Sequence, residues 1–105
     1  MAGQSWSINI VAGSPAFVPD VYPGNQTSLQ AQQGDLVSWN NQTAEMHQPW
    51  QTDESYQQPQ AQLTGVIMPH ESSDGYAVPN GTPPFTIYYR CNIHPSEHGT
   101  IEVVA

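Results

Sequence analysis

A chain of 105 residues, 37% of them apolar, can bury one core, and ten prolines and eight glycines spread along it exclude long helices of 3.6-residue period. One arginine, Arg90, and no lysine stand against nine carboxylates; the formal charge of −8 excludes a nucleic-acid-binding face and disfavours an anionic membrane surface. No apolar run reaches the roughly 20 residues needed to cross a bilayer, so no membrane insertion is expected.

Trp6, Ile8, Ile10 and Ala12 alternate with Ser5, Ser7, Asn9 and Val11, the period of a half-buried strand with one imperfect position, and Gly13-Ser14-Pro15 ends it. Residues 17–22 are broken by Pro19 and followed by Pro23, which suits an irregular edge segment. Residues 27–32 read as a short strand, Gln33-Gly34-Asp35 as a turn, and 36–40 as a strand with Val37 and Trp39 on one face. From 41 to 62 the chain carries seven glutamines and no alternation, so a long surface loop is expected there. Residues 63–68 and 76–78 read as strands, with a loop over 79–84. The clearest strand is 85–91, where Phe85, Ile87, Tyr89 and Cys91 share a face and Cys91 ends a core-facing row. Residues 100–104 supply a last strand, with Ile101 and Val103 paired on one side. With no repeat and no boundary, residues 1–105 read as one all-β domain, a Greek-key β-sandwich of seven to eight strands.

A lone cysteine forms no internal disulfide, so Cys91 is a buried small hydrophobe, a nucleophile or a metal ligand. Its surroundings favour the last. Cys91, His94, Glu97 and His98 place a thiol, two imidazoles and a carboxylate in one short loop between two strands that hold its ends. Thiolate with imidazole suits copper or zinc, and a structural zinc site would call for further cysteines in paired spacing.

The segment Tyr89-Arg90-Cys91-Asn92-Ile93-His94-Pro95-Ser96-Glu97-His98-Gly99-Thr100-Ile101 resembles the C-terminal copper loop of cupredoxins in its short, amicyanin-like form. That pattern is a strand ending in Cys, two residues, His-Pro, one residue, Met, one residue, Gly, and a final strand. Upstream, Gln33-Gly34-Asp35-Leu36-Val37-Ser38-Trp39-Asn40-Asn41, followed by His47, resembles the Gly-Asp turn and Val-x-Trp strand that lead to the family's first histidine ligand. The resemblance implies one copper ion, cycling between Cu(II) and Cu(I), held by His47, Cys91 and His94. It further implies one-electron transfer to a redox partner protein rather than enzymatic turnover, and a periplasmic or extracellular location. The acidic balance allows that partner to be basic. The segment Met1-Ala2-Gly3-Gln4 has no basic stretch leading into an apolar one, so any secretion signal is expected to have been removed.

Three departures from the pattern bear on the chemistry. Glu97 stands where the family has its axial methionine, and no methionine follows Cys91. Glu97 is the first candidate for the fourth ligand, His98 the second, Glu45 a remoter source of carboxylate, and water or a vacant position the remaining alternative. A hard anionic ligand beside a thiolate favours Cu(II), so a lowered potential and a green, yellow or red centre are expected. The ligand set is similar to that of the red-copper nitrosocyanins, although their glutamate arises elsewhere in the chain. Gln48 follows His47 where the family often has Asn; its backbone N–H can still reach the thiolate, whereas Pro95 has no N–H to offer.

Ile93, Pro95, Met46, Pro49 and Trp50 could form a low-polarity patch near His94, with core packing an equal alternative for Trp50. Tyr56, Met68 and His70 carry no signal separable from ordinary structure. Two other functions stay open at this level. One is a copper protein with an exchangeable position for a small molecule, with His98 nearby to exchange protons; the other is a copper-trafficking module. A Cys–His hydrolase lacks an orienting acid.

Overall fold

The computed structural model describes residues 4–12, 16–20, 28–94 and 97–104. The turn 13–15, Tyr22, Pro23, Thr27 and Pro95, all given roles above, lie outside the described residues. Among the described residues there are nine strands and no helix: β1 Ser5–Ile10, β2 Phe17–Pro19, β3 Ser28–Ala31, β4 Leu36–Asn41, β5 Pro49–Thr52, β6 Pro59–Gln62, β7 Tyr76–Ala77, β8 Phe85–Cys91 and β9 His98–Val103. They form two sheets, ordered β2-β1-β4-β7 and β3-β9-β8-β5-β6. Both are mixed: β1 runs parallel to β4 and β3 parallel to β9, while the other pairs are antiparallel. The all-β sandwich is as expected, with nine strands rather than seven or eight.

The sandwich follows from period-2 alternation. Ile8 and Ile10 of β1, Val37 and Trp39 of β4, Tyr89 and Cys91 of β8, and Ile101 and Val103 of β9 are all fully buried. Tyr89 lies edge-on to Phe17 at 5.0 Å and to Trp39 at 5.4 Å between ring centroids, so one aromatic chain links both sheets beneath the Cys91 end of β8. Edge-to-face pairs of this kind contribute about 0.5–1.5 kcal/mol each beyond their buried area.

Two expectations are corrected. Residues 41–62 are not one long loop, because they contain β5 and β6, paired antiparallel to each other and, through β5, to β8. All four residues of β6 are exposed on an edge strand, so the sequence has no apolar alternation to display there. Residues 63–68 are not a strand; only Ile67 bridges to His47, and of the four apolar residues Leu63 and Ile67 plug the core from an irregular segment while Val66 and Met68 stay exposed. Smaller shifts occur at the ends: β1 stops at Ile10, and β9 starts at His98, two residues earlier than expected. The segment beginning at Phe17 does lie at a sheet edge, as the short strand β2.

Candidate metal centre

Two connections meet at the end of the sandwich where β8 finishes. After β4, His47 makes an antiparallel bridge to Ile67: the His47 N–H donates to the Ile67 carbonyl at 3.1 Å, and the Ile67 N–H returns to the His47 carbonyl at 2.7 Å. That bridge buries His47 to 1% exposure. Gln48 then ties the first segment to the second. Its carbonyl accepts the Asn92 N–H at 2.9 Å, and its own N–H points at Cys91 Sγ from 3.5 Å. The Gln48 side chain turns away toward Gln62 and Thr64, so the backbone alone does the bridging. The loop after β8 is closed by the Glu97 N–H donating to the His94 carbonyl and the Cys91 N–H donating to the Glu97 carbonyl, at 2.9 and 2.8 Å.

These constraints bring His47, Cys91, His94 and Glu97 together, with one donor atom from each lying within 4.8 Å of the others. Cys91 Sγ is 3.6 Å from His47 Nδ1 and 3.5 Å from His94 Nδ1. Glu97 Oε1 is 3.1 Å from His47 Nδ1 and 3.5 Å from His94 Nδ1. A single ion with bonds of about 2.0–2.3 Å to nitrogen, oxygen and sulfur can bridge such separations. Glu97 Oε1 is buried and its nearest polar contacts are these two imidazole nitrogens; with Nδ1 unprotonated on both rings no donor among the described residues reaches it, a costly state for a carboxylate oxygen unless a cation completes it. Burial pushes the pKa of His47 down; the Glu97 charge opposes this, but the net direction remains downward, toward the neutral imidazole that binds metals.

The other nitrogen of His47, Nε2, lies 2.9 Å from Thr43 Oγ1. With Nδ1 facing the sulfur, Nε2 carries the hydrogen and donates to the hydroxyl. Thr43 donates in turn to Asn41 Oδ1 at 2.8 Å. Asn41 is fully buried and its amide donates to the carbonyls of Glu45, Met68 and Ile67. Thr43 and Asn41 thus fix the ring of His47; Asn41 ends the upstream segment of family-like pattern but was given no role there, and Thr43 carried no signal, since a hydroxyl four residues before a histidine is ordinary composition.

The alternative donors lie elsewhere. His98 is exposed and stacked on Tyr56, 4.1 Å and 17° apart, outside the four-residue group. Glu45 is exposed, with Oε1 3.5 Å from His94 Nε2, on the far side of that ring from Cys91. Trp50 pairs with Arg90 on the outer face of its sheet and is only half-buried, so it neither fills the core nor lines the mouth of the centre.

No family model matches the chain, and no curated protein matches it in sequence. Solved structures do match. A purple cupredoxin from Nitrosopumilus maritimus aligns with a TM-score of 0.70 at 16% identity, over 92% of this chain and 97% of that one. A methionine-to-alanine variant of amicyanin in its Cu(I) form aligns with a TM-score of 0.65 at 20% identity, over 98% of this chain and 85% of the other. An oxidised proline-to-alanine variant of amicyanin gives 0.64 at 20%, over 94% and 81%. This chain has the cupredoxin fold. On that fold the donor set is a thiolate with two imidazoles, a combination suited to copper, plus one hard carboxylate.

Proposed function

We propose that this cupredoxin-fold chain binds one copper ion and carries single electrons, with His47, Cys91 and His94 as ligands and Glu97 as the fourth. The observation that carries the reading is the convergence of four donor atoms, with the buried Glu97 Oε1 facing the Nδ1 atoms of His47 and His94 at 3.1 and 3.5 Å. Bound copper would supply the Cu(II)/Cu(I) couple. The chain's own residues supply the rest. Cys91 ends β8 and His47 is pinned by a backbone bridge, so the donors have little freedom to rearrange between oxidation states. His94 is 29% exposed at its side chain, which leaves its outer edge open for an electron to enter or leave.

Glu97 sets the bias between states. Two anions, the Cys91 thiolate and the Glu97 carboxylate, balance a divalent ion and overbalance a monovalent one, which lowers the potential. The charge of −8 favours a basic redox partner protein, with encounter rates that fall as salt rises. Among the described residues no helix is long and apolar enough to cross a membrane. A periplasmic or extracellular location accords with the fold.

Optical and paramagnetic resonance spectra of the Cu(II)-loaded protein test the reading. One copper per chain with a sulfur-to-metal charge-transfer band is expected, unchanged by azide. Glu97→Met should turn the centre bluer and raise its potential; a variant matching the parent in both would remove Glu97 from the ligand set. Absence of stoichiometric copper, or of the band, overturns the function, and an azide shift replaces the carrier by an open-site protein.

A further inference from the structure

We propose that Met46 and Met68 form a receiving site for Cu(I) at the mouth of the centre, from which the ion passes inward to the buried donors. The proposal rests on the copper-binding reading above and adds the route by which the metal enters. The register carries it. Because His47 and Ile67 exchange both backbone hydrogen bonds, the next pair outward on this antiparallel bridge is Met46 opposite Met68. In a regular antiparallel pair such neighbours hold their side chains close, and here both methionines line the same open groove. Alternation sends His47 and Ile67 inward and both methionines outward: Met46 is 45% and Met68 49% exposed.

One exposed methionine is unremarkable, but here two share the outer side of the bridge whose inner side presents His47. They line one open groove of about 450 Å³ with Glu45, Ile93 and the edge of His94. The pair is also held in place. The buried Asn41 amide donates to the carbonyls of both Glu45 and Met68, 2.7 and 3.2 Å away, clamping the two segments together. Thioethers are soft and neutral, so they select Cu(I) over hard divalent cations, while the exposed Glu45 carboxylate at the rim attracts the positive ion. In the transfer, the thioether–Cu(I) bonds break as bonds to Cys91 Sγ and the imidazole nitrogens form. Copper stays Cu(I), no electron moves, and the thiol proton of Cys91 leaves to solvent.

The test uses the full chain carrying carbon-13 in its methionine methyl groups. The buried centre is filled with one equivalent of Cu(I), and Ag(I) is then added as a silent substitute. The methyl resonances of Met46 and Met68 should move together, with that of Met1 unmoved. The double variant Met46→Leu/Met68→Leu, a volume-conserving exchange at exposed positions, should take up Cu(I) from a buffered chelate several-fold more slowly. After oxidation its charge-transfer spectrum should match the parent's. Stationary methyls, equal movement of Met1, or parent-like uptake overturns the proposal and leaves the pair as plain apolar surface. A chain that never develops the charge-transfer band refutes the function instead, and Ag(I) shifts on the metal-free protein still decide the methionine pair.

Discussion

Thr43 shows how much of the centre depends on a side chain that touches no proposed ligand atom facing the metal. Its hydroxyl accepts from His47 Nε2 and donates to Asn41, which fixes the tautomer and the angle of the ring. Thr43→Val keeps the shape and removes the partner, so metal affinity should fall about 10–100-fold, the usual cost of losing a hydrogen bond behind a metal-binding histidine. Competition with a chelator measures this, and Thr43→Ser should restore most of the loss; equal affinities in parent and valine variant would show that burial alone holds the ring. The approach of His47, Cys91 and His94 to one another was legible in sequence because their residue types occur in two segments of recognisable pattern. The choice between Glu97 and His98 was not legible. Strand register places His98 apart from the group: it opposes Arg90, whose face of the sheet points outward, and its ring lies on the surface against Tyr56.

The β8–β9 hairpin holds the loop that bears His94 and Glu97, and its tightest point is Gly99, paired with Tyr89. A Cβ at Gly99 would lie 2.7 Å from the Tyr89 hydroxyl oxygen and 2.8 Å from the adjoining ring carbon. That ring is wedged between Phe17 and Trp39 and has nowhere to retreat. Gly99→Ala should therefore cost about 1–3 kcal/mol, the range for overpacking a close-packed core, read as a lower midpoint in urea unfolding. An unchanged midpoint would mean that the ring yields freely. At this scale β8 and the core of β1 and β4 were legible because one face of each is buried and the other is not. β6 was invisible for the opposite reason: an edge strand exposed on every residue carries no apolar period. The run 63–68 misled because alternation and irregular plugging of a core use the same residues.

Across the whole molecule the two sheets are joined near the chain's first strand by one carboxylate. Asp35, 2% exposed, accepts the Gln4 N–H and the Trp6 indole N–H at the start of β1, and the Gln32 N–H just after β3, at 2.9, 2.7 and 2.9 Å. Burial pushes its pKa up, but the donors from Gln32, Trp6 and Gln4 outweigh it and hold the value below the ordinary carboxylate range. A depressed folded-state pKa gives stability that is complete above the unfolded value, about 3.9, and drains away as pH falls through the folded one. Asp35→Asn should thus destabilise the protein by about 1.5–3 kcal/mol near neutral pH. The gap between variant and parent should narrow as acid protonates Asp35; a gap that stays constant down to pH 2 would deny the carboxylate its role. Strand order has a consequence of its own. β9 comes last in sequence among the described strands, yet it lies inside its sheet, between β3 and β8. Ribosomal synthesis delivers it after the eight other described strands, so a nascent polypeptide holds Cys91 and His47 before Glu97 can be locked beside them. The group of His47, Cys91, His94 and Glu97 is therefore completed only once β9 can pair, and a chain halted before that strand has the four donors without the scaffold that holds them together.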